Sequence, residues 1–315
     1  MRFVRKKLVQ LVIVLFAVTF LSFLMLNLLP GNTAQVICGI GGGQECVDQK
    51  TEELGLDKPI PVRYLTWLGN AVTGDLGSSA RNQQPVWEAI GQRLPVTLEL
   101  LIYSQFIALL VSIPLAVIAS QRPGSIFDRL TTSIAFGLLS IPNFVIALVL
   151  ALIFAVNLQW FPATYSQPTS PLDMLYQLFL PALTLAVAEM AVYMRLLRTD
   201  LIATLQEDYI TMAKAKGLTN RRIVWRHAMR PSMFSLVTVI GLNFGRLIGG
   251  TFIVEFIFSI NGLGKYTVDG ILGRDYIPVQ GAVVVIVVGY VLINFAVDML
   301  YAVLDPRIRH ARAIA

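Results

Sequence analysis

Apolar residues along this chain come in long unbroken runs, not in the alternation of a half-buried strand or the three-to-four spacing of a soluble amphipathic helix. A bilayer core of ~30 Å takes about 20 apolar residues per helix. Runs of that length occupy 8–29, 96–119, 130–156, 178–197, 233–258 and 281–303. The pattern predicts an all-α integral membrane protein with about six transmembrane helices. The first run follows Arg2, Arg5, Lys6 and Lys7 and is longer than the roughly 7–15 apolar residues of a signal peptide, so it is expected to stay in the membrane. Pro142 and Pro181 fall within the third and fourth runs, where neighbouring helices can satisfy the freed backbone groups.

Between the first two runs the chain turns polar and rich in Gly and Pro over 30–94, long enough for a small extracytoplasmic cap. Within it PVRYLTWL (61–68) and PVWEAIGQRL (85–94) are expected to form short amphipathic helices. Val86, Ile90 and Leu94 recur every four residues and share one face. The expected organisation is a cytoplasmic N-terminus and first helix (1–29), a cap (30–94), a membrane core with a cytoplasmic loop at 199–231 (95–304) and a cytoplasmic tail (305–315).

Composition agrees with lipid as part of the solvent. The chain is 56% hydrophobic and 14% charged, with a mean hydropathy of +0.68, against about 25% charged for a soluble domain. A net charge of +6 does not point to nucleic acid, because no basic stripe sits on a soluble module. The basic residues instead mark sides. With the N-terminus inside, seventeen of the 25 Lys and Arg fall in cytoplasmic pieces, seven fall outside and Arg246 lies within a span. That asymmetry predicts a multi-pass protein of the plasma membrane with both termini cytoplasmic. The cap then faces an oxidising compartment. There Cys38 and Cys46 either form a disulfide closing GIGGGQE or remain two unpaired thiols, a structural role in both cases.

No catalytic pattern is present. The chain contains neither HExxH nor GxSxG, no Cys/His metal spacing, and only two histidines, His227 and His310. Gly264-Lys265 resembles the end of a phosphate loop, but Ser259 stands where its first glycine belongs and Tyr266 where Ser or Thr is needed. The chain is expected to be no enzyme and to hold no cofactor or metal. An intramembrane enzyme would need a nucleophile–base pair or a metal cluster. An ion-driven secondary transporter would be expected to show internal repeats and coupling acids.

The loop RTDLIATLQEDYITMAKAKGLTNRRIVWRHAMRP (198–231) carries the most information. Leu205, Tyr209, Met212 and Ala213 fall at i, i+4, i+7 and i+8, one face of a short helix. Lys214 and Lys216 suit its C-terminal dipole, and Gly217 suits the stop. Thr219 can cap a second helix through Ile223 and Trp225. Such an element either docks into a groove on a cytoplasmic partner or lies on the anionic inner leaflet.

DYITMAKAKGL followed by RRIVWRHAMRP resembles the cytoplasmic loop of ATP-binding cassette (ABC) permeases of the dipeptide/oligopeptide/nickel family. LLPGN, LGLDKPIPVRYLTWL, GDLGSS, GGTFIVEFIFSINGLG and VDMLYAVLDPRIR match further family patterns in order, so the resemblance covers essentially the whole chain. It implies a type I importer permease forming half of a translocation pathway for short peptides, or for nickel, glutathione or another small solute. The implied partners are a second homologous permease subunit, two cytoplasmic ATPase subunits that bind ATP and Mg, and an extracytoplasmic solute-binding protein. Leu205, Asp208, Tyr209, Met212, Ala213, Lys216, Gly217 and Arg222 would then couple to the ATPases. The general motif has Glu-Ala-Ala, three residues, then Gly. Here Thr211, Met212, Ala213 and Gly217 stand, so the last Ala and the Gly match, beside an intact Asp208-Tyr209. Asn261 replaces a common proline before Gly262-Leu263-Gly264.

In the fifth run Gly241, Gly245 and Gly249 recur every four residues, a stripe that lets another helix approach closely. It serves either packing within this chain or, as the resemblance suggests, a seam beside the partner permease and the pathway. A charge at mid-span is costly, so Arg246, with Asn243 one turn before it, should face a polar cavity or a carboxylate. Glu189 and Glu255 are its candidate partners, while Asp298 lies nearer the cytoplasm. Arg246 either meets a substrate carboxylate, such as a peptide C-terminus, or forms a buried structural ion pair.

Overall fold

The computed structural model describes residues 2–28, 33–39, 43–53 and 55–304. Of the expected features, the segments 29–32, 40–42 and 305–315 and the side chain of Asp298 lie outside the described residues. Helices follow one another as α1 (Arg2–Leu28), α2 (Thr33–Cys38), α3 (Gln44–Glu53), α4 (Ile60–Val72), α5 (Val86–Gln121), α6 (Ile126–Leu139), α7 (Asn143–Leu150, continued by a π-helical stretch Ala151–Asn157), α8 (Pro171–Leu205), α9 (Asp208–Ala215), α10 (Asn220–Arg222, continued by a π-helical stretch Ile223–Ala228), α11 (Met229–Ile257), α12 (Leu263–Leu272) and α13 (Tyr276–Leu304). Among the described residues there is no strand, only an isolated bridge between Ser78 and Pro85. The chain forms two compact units, residues 1–97 with 261–315, and residues 98–260. The boundaries expected at 29/30 and 304/305 fall inside the first unit, and that at 94/95 lies three residues from its edge.

In the first unit α1 packs on α13, and the cap is fastened to both ends of this pair's sequence. Tyr64 of α4 is 1% exposed. Its ring meets Phe16, Phe20 and Phe23 of α1 edge-on at 5.4, 5.1 and 5.6 Å, and its hydroxyl lies 2.8 Å from Thr19 Oγ1. The spacing of those aromatics along α1 puts them on one helical face, and PVRYLTWL forms the helix that covers it. Farther along, Val86 and Ile90 are buried with Leu76 and Leu263 and contact Ile277, Val285 and Ile286. GDLGSS reaches this core through a turn in which Gly77 has φ +83°, and a Cβ there would stand 2.9 Å from Ile277 Cγ2. Asp275 fixes the same loop, accepting from Ser79 Oγ at 2.5 Å and from the Ala80 amide at 3.1 Å. Arg93 sits 4.4 Å from the centre of the Tyr266 ring. Burial pushes that phenol up, so the cation faces a neutral ring. A disulfide joins Cys38 of α2 to Cys46. The segment 85–94 does not make a separate short helix: from Val86 on it forms the first turns of α5, and Pro95 does not end it. One missing N–H is tolerated where neighbours satisfy the freed carbonyl.

In the second unit the third apolar run is not one straight span. It breaks into α6 and α7 with a bend of 103°. Pro142 sits at the break as the N-cap of α7, and the residue before a proline is driven out of the α region. The pair nevertheless crosses. Asp128, at the start of α6, takes the guanidinium of Arg198 with both carboxylate oxygens, the Nη2 contact being 2.6 Å. After α7, the Trp160 carbonyl accepts from Tyr176 Oη at 2.6 Å, and the Ser166 amide donates to Gln177 Oε1 at 2.8 Å. Tyr176 and Arg198 stand near opposite ends of α8, about 33 Å apart at ~1.5 Å per residue. The chain from 128 to 160 therefore passes from one end of α8 to the other. Counting the pair as one span, five long apolar helices become six.

Asp128 is 2% exposed, and it also accepts from the Gly124 amide at 2.8 Å. Removing one partner of a buried pair leaves an uncompensated charge. Asp128→Ala is expected to cost about 3 kcal/mol, and Asp128→Ala with Arg198→Met clearly less than that. Thermal unfolding of the detergent-purified chain checks this: an unchanged midpoint for the single variant would mean that the pair does not hold α6 to α8.

Candidate functional site

Two constellations in the second unit stand out, a hairpin beyond the end of α8 and a polar cluster at mid-span. The hairpin begins where α8 stops at Leu205, with a break at Gln206 and Glu207 before α9. Ile210, Ala213 and Ile223 form its small core, with Leu205 and Leu218 packed against it. Gly217 closes α9 with φ +76°. Its amide donates to Lys214 O at 2.9 Å and that of Leu218 to Ala213 O at 3.3 Å, the paired bonds of a Schellman stop. Thr219 occupies the next N-cap position without a side-chain bond. The helix after it is not separate but runs on as one apolar-ended rod, Asn220–Ile257. Its π-helical turn lies just before Pro231, whose ring would crowd the carbonyl of His227 in a regular helix.

The four positions expected on one docking face divide between two sides. Leu205 belongs to α8, and on the eight residues of α9 the packed positions are Ile210 and Ala213, three apart. Tyr209 and Met212 point outward, 46% and 60% exposed, as a face left for a partner must, and so does Trp225 at 53%. Asp208, Lys216 and Arg222 are exposed beside them. A helix so short cannot register its face by a four-residue spacing alone. The face is set by which residues reach Ile223 once Gly217 has turned the chain. The hairpin is tied back to the bundle by Thr204 Oγ1 at 3.2 Å from Ser232 Oγ and by Asn220 Nδ2 donating to Gln121 Oε1 at 3.4 Å.

At mid-span, Glu189 of α8 is 2% exposed and accepts from two residues one turn apart on α11: Asn243 Nδ2 at 2.6 Å and Arg246 Nη2 at 3.0 Å. The Arg246 side chain is itself 64% exposed. Glu255 is not its partner. Nine residues farther along the same helix, it lies on the opposite side and is fully enclosed. Tyr193, one turn from Glu189, donates to Gln105 Oε1 of α5 at 2.8 Å. Gln105 and Tyr193 were not singled out from sequence; the four-residue step from Glu189 to Tyr193 was the available signal. Asp128 and Arg198 were also missed, although Ser125 three residues before Asp128 spells a helix cap. The glycine stripe divides: Gly241 and Gly245 are buried, while a Cβ on Gly249 would meet nothing within 4 Å. Gly250 instead approaches Leu185 and Asn143. Lys265 pairs with Asp269 at 2.6 Å, one turn along α12, so the phosphate-loop look-alike is a helix start. Among the described residues no cluster of His, Cys, Asp and Glu could hold a metal ion.

Residues 112–310 match the family model of binding-protein-dependent transport system inner membrane components, and residues 1–101 match the N-terminal model of the same systems. A putative peptide transport system permease protein of Brucella abortus is 38% identical, over 97% of this chain and 98% of its own length. The oligopeptide transport system permease protein AppB of Bacillus subtilis is 39% identical over 94% and 96%. The dipeptide transport system permease protein DppB of Escherichia coli is 34% identical over 99% and 100%. Among solved structures, an inward-facing MetNI methionine ABC transporter shares the fold, with a TM-score of 0.57 and 19% identity over 69% of this chain and 96% of its own.

A side chain at Gly217 would find space but not a comfortable backbone. Gly217→Ala is expected to destabilise the hairpin by about 1 kcal/mol, seen as roughly fivefold faster amide exchange over 208–218. Exchange at the wild-type rate would show that the left-handed stop does not hold α9.

Proposed function

Because the chain belongs to the family of binding-protein-dependent transport system inner membrane components, we propose that it forms half of the pathway of an ABC importer for short peptides. Nucleotide-driven movement of cytoplasmic ATPase subunits enters it through α9. The observation that carries this reading is the two-faced hairpin. Ile210 and Ala213 hold α9 to its own chain, and Tyr209 and Met212 present an apolar edge with no cover among the described residues. An amphipathic helix fixed at the tip of a rigid span is suited to a groove on a partner. The peptide cargo is supported by the names of relatives that align along almost the whole chain. The chain itself contributes no hydrolysis; ATP and Mg belong to the two ATPases.

The side of the membrane follows from charge. Residues 195–231 hold eight Lys and Arg and residues 157–177 none, so the hairpin lies in the cytoplasm, with both termini. The cap then lies outside, where the solute-binding protein delivers cargo. A guanidinium 64% exposed at mid-span would cost roughly 2.5–3.5 kcal/mol or more against lipid. That wall of α11 therefore faces the second permease subunit and the aqueous pathway, with Asn243 and Glu189 holding Arg246 in place. Glu255, fully enclosed nine residues beyond Arg246, lies on the other side of the helix from it.

Reconstitution with the partner subunits in liposomes supplied with ATP tests both parts. Tyr209→Ala with Met212→Ala is expected to lower dipeptide uptake about tenfold or more, the scale of losing one interface anchor or two, and to weaken co-purification of the ATPases. Full uptake by that variant would end the coupling role of α9. Arg246→Ala, in a complex that assembles normally, is expected to slow uptake several-fold; unaltered kinetics would remove Arg246 from the pathway. A cysteine placed at Ala215 should react with an impermeant maleimide only from the inside.

A further inference from the structure

The helix that leaves the hairpin carries a second surface, which shares only Arg222 with the residues expected to couple to the ATPases. From Tyr209 to Val254 the chain contains seven Lys and Arg and not one Asp or Glu. Four of these, Arg221, Arg222, Arg226 and Arg230, fall in the ten residues that feed the fifth span, and all four are exposed. None is in an ion pair with a described residue. The spacing i, i+4, i+5 and i+9 of Arg221, Trp225, Arg226 and Arg230 is one that a helix containing an i→i+5 turn gathers on one side. The opposite side, Ile223, Val224 and Ala228, is buried. Thr219, Arg221, Arg222, Trp225 and Arg226 line a single open concavity of ≈430 Å³.

The depth of this face selects its occupant. The apolar run of the fifth span starts near Met233. At ~1.5 Å per residue, Arg230 lies about 5 Å, Arg226 about 10 Å and Trp225 about 12 Å from that edge along the rod. A bilayer extends roughly 5–8 Å beyond its hydrocarbon on each side, so Arg230 stands at the level of the phosphates and Arg226 a few ångströms above it, where its long side chain can reach down to them. The half-exposed indole of Trp225, next to Arg226, lies just outside the headgroup layer. We infer that Arg226 and Arg230, at the membrane end of this basic face, bind the phosphates of anionic phospholipids of the inner leaflet, and so fix the height at which α9 is presented. The inference rests on the cytoplasmic placement proposed above.

The test uses the full transporter complex. Purified in mild detergent, it is offered phosphatidylglycerol, phosphatidylcholine or inorganic phosphate, and retained lipid is counted by native mass spectrometry. Wild type is expected to keep phosphatidylglycerol over phosphatidylcholine. Arg226→Gln with Arg230→Gln is expected to lose that preference by about fivefold per arginine, the equivalent of ~1 kcal/mol each. Equal retention of both lipids by wild type, or undiminished preference in the variant, overturns the inference. So does displacement of the lipid by equimolar inorganic phosphate, which would mark a free-anion site. Loss of the ATPases from the variant with lipid retained would assign the face to protein instead. Maleimide labelling at Ala215 from the outside would refute the cytoplasmic placement, and is read independently of lipid retention in detergent.

Discussion

Asp128 and Arg198 meet at one end of the second unit, and the course of the chain there depends on that meeting. A span broken by 103° has no helical continuity to carry it across a bilayer. What fixes its two ends is α8, which holds Asp128 through Arg198 at one end and the loop after α7 through Tyr176 and Gln177 at the other. The ion pair is bidentate, and the carboxylate also takes the Gly124 amide. Such a carboxylate is well satisfied away from water. The same end of α8 leads into the hairpin, so the helix that braces the broken span also carries α9.

The hairpin shows how one short helix can serve two masters. Its inner face is made by Ile210 and Ala213, its stop by Gly217, and its outward residues by what remains. An isolated helix of this length would not persist in water; here tertiary packing and a left-handed stop hold it. Motion of a partner gripping Tyr209 and Met212 would pass into two rods, α8 through Leu205 and α11 through Ile223. Those two rods are the ones joined at mid-span by Glu189 with Asn243 and Arg246. A hairpin at the end and a polar join in the middle thus act on one helix pair.

Much was legible before any coordinates. Run length marked the apolar segments because a hydrocarbon core accepts nothing shorter, and the PVRYLTWL helix and the Val86–Ile90–Leu94 face followed from periodicity. The stop at Gly217 was legible because few residues adopt its φ as readily. Other features were hidden by their nature. Pro142 was compatible with a mild kink or a sharp break, and only the packing of both arms decided between them. Of the face expected to dock, Tyr209 and Met212 point outward, while Leu205 and Ala213 turn into the hairpin's own core, because a pattern counted from Leu205 crosses from α8 into α9.

The order of charge, apolarity and turn residues along the chain by itself determined that this is a multi-span helical membrane protein with a basic hairpin after its fourth span. Those properties come from local preference and from the solvent each residue can accept, and they need no knowledge of neighbours. Tertiary structure alone decided that Glu189 rather than Glu255 holds Arg246, that Asp128 meets Arg198, and which side of α9 is left open. Each of those is a choice among residues distant in sequence and equal in chemistry, and only the distances between packed helices separate them.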